Sequence, residues 1–234
     1  MSADYYSRME RASSPRPSEQ MVAALARGLR LSLAERDHVF RLAGYDVPRR
    51  VSRTDHVDVG LMRVIDRLHD TPAVVLTSLG ETLLQNPLAV ALLGDQTRHE
   101  GLARSAIHRW FTDPQERLLY PVDEHPTHSR VLVSQLREVL TREGPTSRAG
   151  RIVEHLRTTS ADFAQVWGEH PVGWRYSEQK RLLHPRLGEL RLHCQSLLDP
   201  EQAQVLLVFT AVPGSESHEK LELLSVVGTQ RLDP

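Results

Sequence analysis

The chain has 234 residues, 40% hydrophobic and 25% charged, with 13 Gly and 14 Pro spread along it. That length can bury a substantial core, and the composition excludes a staple-dependent miniprotein, a collagen-like repeat and a low-complexity disordered chain. The formal charge of -1 conceals an asymmetry: residues 1–53 hold ten Arg against six acids, and the remainder holds nineteen Lys or Arg against twenty-four acids, so a basic N-terminal part that raises the expectation of nucleic-acid contact precedes an acidic body.

In chain order, residues 1–11 place Tyr5, Tyr6 and Met9 on one side of a short helix. Pro17 suits a first helical position, and Met21, Val22, Leu25, Ala26 and Leu29 follow at helical spacing. Ser32 with Glu35 three residues on predicts a capping box that opens a second helix, which Gly44 is placed to end. Residues 47–54 read as a polar linker. Val57, Leu61, Met62, Ile65 and Leu68 predict another amphipathic helix, stopped by Thr71-Pro72. The period then changes: 73–79 and 82–85 read as two short strands of a hairpin, and Asn86-Pro87 opens a helix through Leu93. Helices are predicted at about 101–112, 126–143, 147–157 and 160–169. Leu190, Leu192 and Cys194 alternate with Arg191, His193 and Gln195 as a strand with one wet face, and 205–212 is the best candidate for a central strand. A final helix follows Pro213-Gly214-Ser215 and ends at Gly228. This order does not alternate as β-α-β units do, so the fold class expected is α+β, with a small antiparallel sheet covered by helices.

The chemistry-bearing motifs of enzymes are missing. Neither a glycine-rich phosphate loop nor a nucleophile elbow is present, so the chain is not expected to be an enzyme. Its 12 His form no H-E-x-x-H and no C-x-x-C framework, so no metal and no cofactor are expected. His125 and His128 lie in a proline-containing stretch and read as exposed turn residues. Cys194 shares a strand face with Leu190 and Leu192 and reads as a small buried hydrophobe. It has no second cysteine to pair with, no apolar run is long enough to span a bilayer, and the N-terminus lacks a secretory apolar region, so a cytoplasmic location is expected.

Several blocks together resemble a known family. The stretch Asp4 to Glu10, then Pro17 to Gln20 with the helix after it, and Glu35-Arg36 to Gly44 are similar to the second half of the helix-turn-helix domain of XRE-type actinobacterial regulators. The blocks Asn86-Pro87-Leu88-Ala89 to Asp95, Phe111 to Pro114, Ser160 to Trp167, His184-Pro185 with Gly188-Glu189-Leu190, and Pro213 to Ser215 resemble the MmyB-like ligand-binding domain that accompanies it. The resemblance implies a helix-turn-helix segment over 1–46, a linker over 47–54 and a PAS-like ligand-binding domain over 55–230. By the family pattern about two helices precede the Asp-Tyr-Tyr motif, so the head is expected to be N-terminally truncated.

What the resemblance implies functionally is a DNA-binding transcriptional regulator whose sensor takes a small, largely apolar, fatty-acid-like ligand. The alternative is a truncated ligand-binding or protein-interaction module without DNA affinity. Double-stranded DNA, the small ligand and a second copy of the chain are the partners implied, the last from half-site logic. In the head, Ser2, Tyr5, Tyr6 and Arg8 would face the major groove or phosphates, with Arg11 and Arg16 adding backbone contacts. For the two tyrosines, packing on neighbouring helices is the alternative. Trp110, Phe111, Trp167 and Phe209 are the candidate ligand-binding side chains, with plain core as the alternative.

Overall fold

Two serines open the helices of the head. Ser18 and Ser32 each accept a backbone N–H with the side chain, from Met21 and Glu35, and start α1 (Glu19–Gly28) and α2 (Leu33–Leu42). The Glu35 carboxylate returns the favour to the Ser32 N–H at 2.8 Å, completing the predicted capping box. Val22, Leu25 and Ala26 of α1 and Phe40 of α2 are buried, and Gly44 leaves α2 at φ +69, a conformation open to glycine. These helices belong to the first of two compact units, Met1–Arg50 and Val51–Pro234. The computed structural model describes Ser7, Arg11 and residues 15–45, 56–174, 176, 179–199 and 203–229. The expected linker 47–54, and the helix expected over 1–11 apart from a helical Ser7 and a turn at Arg11, lie outside those residues.

In the second unit Asp58 caps α3 (Val59–Ile65), and the predicted hairpin follows as β1 (Ala73–Thr77) and β2 (Thr82–Gln85). Asn86 and Pro87 then open α4 (Pro87–Leu93). The Asn86 side chain does more than cap. Its Oδ1 accepts from the N–H groups of Ala73 and Ala89, and its Nδ2 donates to the carbonyls of Leu68 and Thr71. One amide thus ties the end of the hairpin to the helix after it and to the turn before it.

The middle of the chain departs from expectation at one point. Instead of one helix over 101–112, a 3-10 turn at Gly101–Arg104 stops at Ser105, and α5 (Ala106–Thr112) starts there. Ser105 caps α5 and donates to the Leu79 carbonyl at 2.6 Å, so its hydroxyl competes with a continuous helix. A short α6 (Pro114–Arg117) leads to α7 (His125–Glu143), α8 (Arg148–Thr159) and α9 (Ala161–Gly168). Helices α5, α7, α8 and α9 share one apolar core, which includes Trp110, Phe111, Leu132, Leu136, Ile152, Leu156 and Phe163.

Three strands close the sheet: β3 (Gln179–His184), β4 (Gly188–Asp199) and β5 (Gln204–Thr210), followed by α10 (Glu216–Thr229). The order is β2-β1-β5-β4-β3, antiparallel throughout, so the apolar run 205–212 does supply the central strand. One sheet face, with Val74, Leu182, Leu190, Leu192 and Phe209, packs against Leu88 and Leu92 of α4 and Leu221 and Leu224 of α10. The other, with Ala73, Val75 and Leu206, packs against Ile65. Beyond His193 towards its N-terminus, β4 has no β5 partner. There α10 takes the edge, with the Arg191 N–H donating to Ser217 Oγ and Lys220 Nζ donating to the Glu189 carbonyl.

Candidate functional site

The helical core and the covered sheet face meet at Tyr120, which packs against both. The antiparallel register decides which side chains reach this seam from the sheet. Lys180 pairs with Leu192 and Leu182 with Leu190, while Cys194 pairs with Phe209, so all six stand on the same face. From the helices, Trp110 on α5 and His128 on α7 arrive at the same place.

The result is a nest of aromatic and polar groups. The His128 ring lies 4.1 Å from Tyr120, 4.2 Å from Trp110 and 4.9 Å from Tyr176. The Tyr176 hydroxyl and His128 Nε2 are 3.1 Å apart, and Lys180 Nζ sits 3.8 Å above the Tyr176 ring. The Trp110 indole N–H donates to Ser129 Oγ at 2.8 Å. Burial, reinforced by the nearby Lys180 charge, holds His128 well below the ordinary imidazole range, so it is neutral at neutral pH. Burial also pushes the Tyr120 and Tyr176 hydroxyls and the Cys194 thiol up, and pushes Lys180 down. The seam thus brings the rings of Trp110 and Tyr120 together with the Tyr176 hydroxyl, the His128 imidazole and the Lys180 ammonium.

His128 corrects the sequence reading. It is 8% exposed on a helix, not in an exposed turn, because Pro126 occupies the first turn of α7, where no intrahelical N–H is needed. His125 accompanies it, its Nε2 3.0 Å from the Tyr120 carbonyl and its ring 5.2 Å from Trp110.

The four candidate ligand residues divide. Trp110 lines the nest. Phe111 and Trp167 instead flank Phe163, at 5.1 Å and 5.4 Å between ring centres, and Arg137 lies over Trp167 at 3.9 Å. Phe209 is on the sheet face opposite Cys194 in register. Sequence reasoning passed over Tyr120, Tyr176 and Lys180. The one signal available for Lys180 was its parity with Leu182 and His184 along β3, a strand that was not predicted. A second histidine pair, His108 Nε2 and His155 Nδ1 at 3.1 Å, lies away from the nest between α5 and α8. Among the described residues no three His, Cys, Asp or Glu side chains gather as a metal site.

In the head, Ser2, Tyr5, Tyr6 and Arg8 lie outside the described residues. Arg11 is exposed, its Nε donating to the Ser7 carbonyl. Arg16 donates to the carbonyls of Ala43 and Gly44 and lies 4.1 Å over the Tyr45 ring, while the Tyr45 hydroxyl donates to the Pro17 carbonyl. These contacts clamp the approach to α1 onto the end of α2. Arg27, Arg30 and Arg36 border a groove between the two helices that is floored by Ala23, Ala26, Leu31 and Phe40.

Comparison with known families matches residues 57–224 to the MmyB-like transcription regulator ligand binding domain and residues 1–39 to a helix-turn-helix domain. Neither description names a catalytic activity. A search of curated proteins returns no match. Among the described residues no helix is long and apolar enough to cross a membrane.

Proposed function

Because the chain belongs to the family of MmyB-like transcription regulator ligand-binding domains, with a helix-turn-helix match ahead of that domain, we propose that it is a DNA-binding regulator controlled by a small, largely apolar, fatty-acid-like ligand. The observation that carries the ligand half is the seam itself, where Trp110, Tyr120 and the covered sheet face supply apolar walls beside the polar groups of His128, Tyr176 and Lys180. Occupancy of the seam shifts the balance between arrangements of two paired heads, and so the affinity for double-stranded DNA.

The test uses the full chain and DNA from upstream of its own reading frame. A mobility shift that weakens steeply with salt is expected, together with a bound apolar small molecule in native mass spectrometry after gentle extraction. A bound lipid without any DNA shift would leave a ligand-binding module. Absence of both would refute the proposal.

A further inference from the structure

Trp167 has no part in the seam. It borders a separate cleft of about 520 Å³ between α7, α8 and α9, where Leu140, Pro145 and Val153 complete the apolar lining and Glu154 and Arg157 supply charge. A space of that size takes a small molecule. The indole is held in place before anything binds: the Arg137 guanidinium lies 3.9 Å over its ring and donates to the Trp167 carbonyl at 2.7 Å, and Phe163 stacks on it at 5.4 Å. A fixed wall costs little further ordering when a ligand meets it.

Both charged groups belong to α8. Glu154 and Arg157 are three residues apart, which puts them side by side on one face of a helix, next to Val153. Opposite charges so placed commonly pair, yet among the described residues neither side chain makes an ion pair or a hydrogen bond. Of the cations near them on α7 and α8, Arg137 is spent on Trp167 and Arg151 donates to the Thr146 carbonyl. The cleft thus offers a carboxylate and a guanidinium together beside an apolar wall. A fatty acid or an amine would use one of the two. A molecule with an ammonium and a carboxylate on the same carbon, and an apolar group behind them, uses both.

The geometry points to a second ligand site, for a free α-amino acid with a large apolar side chain: its ammonium on Glu154, its carboxylate on Arg157, its side chain against Trp167, Leu140 and Val153. The site shares no residue with the seam and does not depend on what the seam binds.

The experiment is calorimetric titration of the full chain with L-tryptophan, L-leucine, glycine, tryptamine and indole-3-propionate. L-tryptophan is expected to bind at least about threefold more tightly than tryptamine, which lacks the carboxylate, and than indole-3-propionate, which lacks the ammonium, as an exposed ion pair contributes. Glu154→Gln is expected to erase the preference over indole-3-propionate alone, and Arg157→Gln the preference over tryptamine alone. Both positions are exposed, so neither variant threatens the fold. Tryptamine or indole-3-propionate bound as tightly as L-tryptophan by the wild type would overturn the zwitterion. Glycine bound as tightly as L-tryptophan and L-leucine would overturn the apolar wall. L-tryptophan binding that both variants leave unchanged would overturn the cleft as its site, and no binding of L-tryptophan or L-leucine would overturn the proposal whole. None of these outcomes touches the reading of the seam.

Discussion

Replacing Asn86 by alanine removes four hydrogen bonds at once. Two of the partners, the N–H groups of Ala73 and Ala89, belong to residues with 0% exposure and would be left unpaired in the core, at about 1–3 kcal/mol each. The carbonyls of Leu68 and Thr71 lie nearer the surface, where water replaces the amide at little loss. Asn86→Ala is therefore expected to destabilise the second unit by about 3–5 kcal/mol, well above the roughly 1 kcal/mol of an ordinary helix cap. All three tryptophans, Trp110, Trp167 and Trp174, lie in that unit, so urea unfolding followed by tryptophan fluorescence reports on it alone. The midpoint is expected to fall with the slope unchanged. A loss below about 1 kcal/mol would refute the reasoning, because it would mean that Asn86 acts as a simple cap and not as a tie between hairpin and helix.

Further expectations concern the helical half. Gly150→Ala places a Cβ against the Pro145 carbonyl oxygen, so it is expected to cost at least about 2 kcal/mol despite the roughly 1 kcal/mol that alanine gains in a helix; a variant as stable as wild type in urea would disprove the clash. Ser129→Ala leaves the indole N–H of Trp110, 1% exposed, without its acceptor, at about 1–3 kcal/mol by the same measurement; no change would show that the bond contributes nothing. His108 is held at about 4, chiefly by burial and then by His155 and Arg109. The unfolded chain therefore binds more protons between about pH 6.5 and 4, so this contribution is complete above 6.5 and is lost as pH falls through that window. His108→Gln is expected to flatten the stability profile there, and an unaltered acid limb would contradict it.

Much of the fold could be read from local chemistry. The Ser32–Glu35 box, the Asn86-Pro87 helix start, the hairpin over 73–85 and the central place of 205–212 each depend on residues close together in the chain, and each stands in the structure as expected. Where a side chain serves a distant partner, local reading fell short. Ser105 looked like helix interior until the Leu79 carbonyl was seen to hold it as a cap. Strand β3 went unrecognised because Lys180 occupies a position where alternation calls for an apolar residue. The candidate site was the least legible part. Trp110 was a candidate because no helix or strand period made it obligatory core, but its companions Tyr120, His128, Tyr176 and Lys180 come from separate elements and carry no shared spacing. The sequence by itself settled the class of fold, the basic head and most element boundaries, since caps, turns and periodicity act over a few residues. Only the tertiary structure decided that a lysine, a histidine and two tyrosines meet on one covered face, because antiparallel register and helix packing assign neighbours that chain distance does not encode.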